Sequence, residues 1–371
     1  MISYFIVPIV QKLKEEYEIH LFHIDSINDC KEPREFQWII KHDIGKKSPQ
    51  EIMGLFDEIQ PQCVILINIY SLFELLVLRL AKCQGYKTIL LQHGVLEANA
   101  AKKRYDKLFQ DTAKEIRKLS QFCLKYISFI INSKKSFDEC KIFYSAFIKR
   151  DFRQTKFDAA IFFTPYWAKQ VKAKLWMEHS QLEYCGYPLT ITNREYSELL
   201  GWKSEKTDKA ILIHQPFIKD NLTAFNYEDE REYMKGLLKQ LSSKGLGMDI
   251  LLHPREDFRL YEQLYGNTGI GILQNIEKKE YSKYRIAIGF YSTALFVPIS
   301  LHIPVWIVDY DKILAKDSIF YPISIKMEEN ISHVPDWLIE NFISDKIGTD
   351  NCSSENIATK IVDCINRFNR H

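Results

Sequence analysis

The chain has 371 residues, more than one ordinary hydrophobic core accommodates and few for three, so two domains are expected. Hydrophobic residues make up 46% and charged residues 26%, a globular balance that excludes disorder and low complexity as the main state. Fifty Lys and Arg against 48 Asp and Glu leave a formal charge of +2, with no net field of the kind that announces a nucleic-acid partner.

From the start, Met1 to Val7 reads as an abbreviated first strand or the remainder of a truncated one, running straight into Pro8. An amphipathic helix is expected over Pro8 to Tyr17, then a strand over Glu18 to Ile24. A helix over about Pro49 to Glu58 leads into Gln62 to Ile69, a continuous apolar run typical of a strand buried on both faces. Ser71 to Gln84 reads as a helix capped by Ser71 and stopped by Gly85, and Lys87 to Gln92 as the next strand. Further on come a strand at Phe157 to Phe163, a helix after Thr164-Pro165 and a strand at Leu182 to Cys185. Strands alternating with helices predict a parallel sheet with covered faces.

Gly186-Tyr187-Pro188 breaks the pattern and a polar stretch from Thr190 to Asp208 follows. The alternation then restarts with strands at Lys209 to His214, Met248 to His253, Ile270 to Leu273, Arg285 to Gly289 and Pro304 to Val308. Helices are expected over Glu228 to Lys244, Glu256 to Tyr265 and Thr293 to Leu301. The restart predicts two similar α/β domains, residues 1–189 and 190–371. The final helix, about 355–368, is free to pack back on the first.

The eight cysteines (30, 63, 83, 123, 140, 185, 352 and 364) form no CxxC pair and no regular framework, which favours free thiols and a reducing compartment. No run reaches the length of a membrane span, and no signal-peptide pattern opens the chain, so a cytoplasmic location is expected. A basic insertion, about 97–156, interrupts the first domain. Between Ala101 and Lys156 there are 15 Lys or Arg against 6 Asp or Glu, interleaved with Phe122, Tyr126, Phe129, Phe143, Tyr144 and Phe147. Two readings fit it: a helical subdomain with solvated lysines, or a face that meets an anionic membrane or acceptor.

In open parallel sheets ligands gather beyond the carboxyl ends of the strands, and three short motifs fall there. Gln92-His93-Gly94 follows a strand; Gly94 permits an unusual turn, and His93 is suited to removing a hydroxyl proton. His253-Pro254-Arg255 follows another strand and is expected to open a helix, a setting that suits a phosphate. Tyr291-Ser292-Thr293 precedes a helix, where two hydroxyls serve as a cap, an anion site or both.

With these motifs, and with Gly186-Tyr187-Pro188, the sequence resembles the GT-B glycosyltransferases that build bacterial surface polysaccharides, capsule and lipopolysaccharide among them. It looks most like sialyltransferases and polysialyltransferases, capsule Kdo transferases and CDP-glycerol glycerophosphotransferases. The resemblance implies two Rossmann-like domains facing across a cleft, a nucleotide-sugar donor (a CMP-sugar favoured) and a glycan or lipid-linked acceptor. It implies no metal or other cofactor. His253-Pro254 and Ser292-Thr293 match the positions that hold the donor phosphate. His93 stands where sialyltransferase-like members carry an acidic base, and there it looks more like the glycerophosphotransferases.

The resulting expectation has His93 as base and Glu97 assisting it. His253, Pro254, Arg255, Ser292 and Thr293 take the donor phosphate, and Gln215 and Tyr291 line the nucleotide pocket, with Gln92 and Gly94 at the acceptor side. Asp309-Tyr310-Asp311 looks like an Asp-x-Asp metal motif but is read as loop-capping. A peripheral position at the inner membrane face goes with the basic insertion. The alternatives are a transferase using CDP-glycerol, a nucleotide-sugar epimerase, and a silent partner in surface-glycan assembly.

Overall fold

The computed structural model describes residues 2–24, 26, 39–67, 71–94, 113–149, 151, 153, 155–172, 181–188, 190, 195–196, 198, 206–219, 223–290, 292–310, 318–326, 334–348 and 352–370. The chain divides into two compact units, Met1–Pro188 with Ser353–His371, and Leu189–Cys352. Both are α/β with all-parallel sheets, the Rossmann-like architecture that the alternating pattern predicts.

In the first unit four strands, β3 (Cys63–Leu66), β4 (Lys87–Leu91), β5 (Ala159–Phe162) and β6 (Leu182–Tyr184), lie in sequential order. All four residues of β5 are buried, as expected for a strand covered on both faces. Helix Leu72–Cys83 crosses between β3 and β4. Ser71 Oγ accepts the Glu74 N–H at 3.4 Å at its start, and Gly85 follows its end at φ +85°. A separate parallel pair, β1 (His20–His23) with β2 (Ile40–Asp43), precedes them. β2 is an element the sequence does not announce, its four residues being Ile, Lys, His and Asp.

The opening differs from expectation. Residues Ile2–Leu13 form a helix, with Pro8 inside it, rather than a first strand. Ile9 and Leu13, four apart, are both buried, and the helix packs on the last one, Ser354–Phe368. The helix expected from Pro8 therefore begins at Ile2 and takes the place of the expected strand. The last helix also packs on β5 and bonds Cys185 O from Asn356 Nδ2 at 3.5 Å, so it belongs to the first unit.

Of the basic insertion, helices Ala113–Asn132 and Ser136–Phe143 and a π turn Tyr144–Ile148 are described. Phe122, Tyr126 and Phe129 turn inward, Phe122 against Phe73 of the sheet-covering helix. Arg79 grips the buried Glu139 through Nη2 at 2.7 Å and Nε at 3.0 Å, a two-toothed ion pair that fastens the insertion to helix Leu72–Cys83.

The second unit carries five strands in the order β11 (Val305–Ile307), β10 (Ile286–Gly289), β7 (Lys209–Ile213), β8 (Gly247–Leu251), β9 (Gly271–Leu273). The chain therefore starts in the middle, moves outward to β9, and crosses back to β10. The strand order reverses between β7 and β10, the topological switch point where doubly wound sheets hold their ligands.

A buried carboxylate ties the carboxyl edge of this sheet together. Glu230, on helix Tyr227–Ser242, is 0% exposed. Its Oε1 accepts from His214 Nε2 at 3.0 Å and Tyr310 OH at 2.8 Å, and its Oε2 accepts from Tyr261 OH at 2.8 Å. The donors come from the end of β7, the loop after β11 and helix Phe258–Tyr265. Burial alone would push the Glu230 carboxyl up, but the hydrogen bonds from His214, Tyr310 and Tyr261 outweigh it and hold it below its ordinary value. Around them Phe217 stacks on Tyr310 at 4.8 Å and meets Phe290 edge-on at 5.0 Å, joining the segments that leave β7, β10 and β11.

Removing one hydroxyl from this network strands part of a buried charge. Tyr310→Phe and Tyr261→Phe are each expected to destabilise the second unit by about 1–3 kcal/mol. Shifts of the urea-denaturation midpoint measure the effect; midpoints equal to wild type would show the hydroxyls to be dispensable.

Candidate functional site

Three segments leave adjacent strands at the carboxyl edge of the second sheet. His214-Gln215-Pro216 follows β7, His253-Pro254-Arg255 follows β8 and Ser292-Thr293 follows β10. β8 and β10 flank β7, so the His253 and Ser292 segments leave the sheet about 10 Å apart, two strand spacings, with the Gln215 segment between them.

His253 is 8% exposed. Pro254 and Arg255 do not open a helix, contrary to expectation. They form a tight turn closed by the Glu256 N–H on His253 O at 2.8 Å, and the helix begins four residues later at Phe258, capped by Asp257. Proline suits the second position of that turn as well as it suits a helix start, which is why the sequence does not separate the two. The turn also sets the imidazole. The Arg255 N–H donates to His253 Nδ1 at 3.2 Å, which leaves the ring proton on Nε2. Burial first, then the Arg255 guanidinium, with His214 and Lys219 adding, push His253 down to about 3. At neutral pH it is an uncharged hydrogen-bond donor, with the exposed Arg255 and Lys219 supplying positive charge beside it. The Lys219 ammonium bonds the Arg255 carbonyl.

Ser292 Oγ accepts the Ala294 N–H at 3.2 Å, the capping role its residue type favours. The expected helix Thr293 to Leu301 is in fact a 3-10 turn, Thr293–Leu295, followed by a five-residue helix, Phe296–Ser300. Starting the α-helix at Phe296 places Pro298 in its first turn, where a missing N–H costs nothing. Gly289 ends β10 just below. A Cβ there would lie 2.9 Å from Leu295 Cδ2, so the glycine leaves room for the buried Leu295 side chain against the strand end. Gln215 Oε1 is a buried acceptor with no hydrogen-bond partner, and so is a ring nitrogen of its neighbour, His214 Nδ1. Unmet polar atoms at a switch point are what a ligand would satisfy. Tyr291 and Asp311 lie outside the described residues. Tyr310, between Asp309 and Asp311, is spent on Glu230.

The first unit places the other motif after β4. Gln92 is 1% exposed, and its amide is committed to the scaffold. Oε1 accepts the Phe163 N–H at 3.0 Å and Nε2 donates to Gly94 O at 2.8 Å. Gln92 thereby pins the short segment that carries His93 to the ends of β4 and β5. Gly94 takes no left-handed φ, contrary to the expectation of an unusual turn, and a Cβ there would meet nothing within 4 Å. His93 is half-buried, and burial lowers its imidazole from the ordinary value, so it is neutral and able to accept a proton at pH 7. Glu97 lies outside the described residues.

The structure thus brings His253, Arg255, Gln215, Ser292 and Thr293 to one sheet edge, and holds Gln92, His93 and Gly94 at the edge of the other. The sequence reading missed Lys219, His214 and Glu230. Glu230 hides in the charged run Glu228 to Glu232, but with Met234, Leu237 and Leu241 it recurs at helical spacing, and all four are buried. That phase was the available signal.

No protein-family model matches the chain, and no curated protein sequence does. Solved structures do resemble it over nearly its whole length. The glycotransferase of kitacinnamycin shares 8% identity at a TM-score of 0.52, covering 97% of this chain and 94% of that one. The spinosyn forosaminyltransferase SpnP shares 9% at 0.51, covering 98% and 96%. The UDP-GlcNAc 2-epimerase from Neisseria meningitidis, solved bound to UDP-GlcNAc, shares 11% at 0.50, covering 98% and 96%. At such identities the likeness is one of fold: the chain has the GT-B-type α/β fold found in sugar transferases and in nucleotide-sugar epimerases.

The depressed His253 carries a stability signature. Its folded value lies below that of a free imidazole, so below about pH 6.5 the unfolded chain binds more protons and stability falls as pH drops toward 3. His253→Gln is expected to flatten this part of the curve, by at most about 1.4 kcal/mol per pH unit for one proton. Urea midpoints between pH 7 and 4 would reveal it, and parallel curves for the two proteins would contradict the assignment.

Proposed function

We propose that this chain is a glycosyltransferase that needs no metal, moving a sugar from a nucleotide-sugar donor, a CMP-sugar in the first instance, to a surface-polysaccharide or lipid-linked glycan acceptor. The observation that carries this reading is the His253 turn. It offers an uncharged Nε2–H donor, fixed by its own backbone, beside two cations at a switch-point edge. That combination suits a phosphate diester whose charge grows as the sugar departs, because hydrogen bonds and fixed charges there favour the transition state over the ground state. Ser292 and Thr293 add hydroxyls, and the unmet Gln215 Oε1 accepts from an N–H or O–H of the nucleoside.

In the reaction, the bond from the anomeric carbon to the phosphate oxygen breaks and the nucleotide leaves with the electron pair. The acceptor oxygen bonds to the anomeric carbon, and its proton passes to the neutral imidazole of His93. Gln92 holds that imidazole's backbone in place, and Glu97 is assigned to orienting it. The GT-B fold supports a sugar nucleotide as the ligand class, one similar structure having been solved with UDP-GlcNAc bound. That similarity also keeps open an epimerase, which would consume a sugar nucleotide with no acceptor present.

Thermal unfolding with CMP, CDP, UDP, GDP, their sugar conjugates and CDP-glycerol tests the reading. A matching nucleotide at 100 times its Kd should add about 2.7 kcal/mol of stability. His253→Ala should abolish that gain. His93→Ala should keep it while transfer falls by roughly 10²–10⁴. If no nucleotide stabilises the chain, the transferase reading fails; turnover of a sugar nucleotide alone makes the chain an epimerase, and a response to CDP-glycerol alone makes it a glycerophosphotransferase.

A further inference from the structure

Helix Ala113–Asn132 is apolar on two opposite sides. At 3.6 residues per turn, Phe122, Tyr126 and Phe129 share the side that packs into the first unit, while Leu124, Ile127 and Ile131 share the other. The second set is bare: Leu124 is 66% exposed and Ile131 73%. Phe137, 72% exposed, with Tyr144 and Ile148, continues apolar exposure along the following helix and its π turn. Six of the ten large hydrophobic residues exposed among the described residues fall between 124 and 148. They form a local concentration, unlike the single exposed side chains that any surface carries.

The same segment is basic where it is exposed. Lys134, Lys135, Lys141 and Lys149 are exposed, and no salt bridge is recorded for any of them among the described residues. Lys141 Nζ sits 4.6 Å from the Phe137 ring centre and Lys149 Nζ 5.2 Å from that of Tyr144, so cations stand directly beside the apolar groups. Between residues 120 and 149 the only carboxylates are Asp138 and Glu139, and Glu139 is buried against Arg79. Four exposed ammonium groups therefore stand on this segment against one exposed carboxylate.

We propose that this face of the insertion docks on an anionic lipid surface, its apolar residues entering the interface and Lys134, Lys135, Lys141 and Lys149 meeting headgroup charges. Apolar anchors interleaved with lysines fit an interface that is both greasy and negative. A second copy of the chain fits poorly, because a two-fold contact through this patch sets lysines against lysines. No helix among the described residues is long and apolar enough to cross a membrane, so the attachment is to the surface. The patch shares no residue with the sheet-edge sites, so lipid docking does not depend on the transferase reading.

Sedimentation of the full chain with vesicles decides it. Vesicles of phosphatidylcholine with about one third phosphatidylglycerol should carry the protein down at low salt, with binding falling steeply as salt rises, and pure phosphatidylcholine should not. Ile131→Ser with Phe137→Ser, and separately Lys134→Glu with Lys135→Glu, should each lower the bound fraction about tenfold or more. Thermal unfolding of both double variants should match wild type, since all four positions are exposed. Equal binding by wild type and either variant overturns the proposal, as does no binding at low salt. A concentration-dependent dimer abolished by Ile131→Ser with Phe137→Ser, and no vesicle binding, would make the patch a contact between copies instead.

Discussion

A carboxylate without water must be met by donors from the protein, and Glu230 shows what that requirement does to a fold. Its oxygens take three hydrogen bonds, and the donors arrive from the end of β7, from helix Phe258–Tyr265 and from the loop after β11. Burying a charge is costly unless every such bond is made, so the four elements have one arrangement that is acceptable. The same bonds set the surroundings of the site. His214 leads directly into Gln215, and Tyr261 stands on the helix that the His253 turn enters. A neighbourhood fixed from beneath is what lets short segments at strand ends hold a ligand without regular structure of their own.

The two candidate histidines show how environment separates roles. Both are neutral at pH 7, chiefly because burial disfavours the imidazolium. His253 has its Nδ1 lone pair engaged by the Arg255 N–H and cations beside it, so what it offers is a proton on Nε2. His93 is carried on a segment that Gln92 ties to the neighbouring strand, and burial is the main cause of its lowered value. One side-chain type is thus set in two different environments by its backbone neighbours.

Much of the fold is legible in the sequence because parallel strands are buried on both faces and so appear as unbroken apolar runs. β5 and β7 are such runs, and their neighbours in the sheets follow from the helices between them. β2 is not legible, since Ile-Lys-His-Asp at an isolated two-stranded pair carries no such run. The opening is misread because an apolar stretch of seven residues before a proline has the length of a strand, whereas the helix begins at Ile2, carries Pro8 inside it and packs on a helix some 340 residues later. At the candidate site the positions are legible and the geometry is not. His253-Pro254-Arg255 lies after a strand in either case, but whether proline opens a helix or a turn depends on where Asp257 caps, four residues from the histidine. Glu230 fails for a different reason: its charged neighbours mask a helical phase that only the buried Met234, Leu237 and Leu241 make visible.

A fold retained at identities near one residue in ten is intelligible on the same terms. What a parallel sheet demands of its strands is apolar character, which many residues satisfy, and what a site demands is one or two side chains just past each strand end. Neither demand preserves sequence over long stretches. On the proposed function, selectivity for one donor rests on the few groups whose chemistry cannot be exchanged. Gln215 Oε1 is such a group, because a buried acceptor rejects any ligand that brings no N–H or O–H to it more strongly than it rewards one of slightly better shape. On the proposed function, an unmet acceptor after β7 and a neutral donor with cations after β8 apply two different tests, hydrogen-bond complement and charge, on neighbouring strands of one sheet.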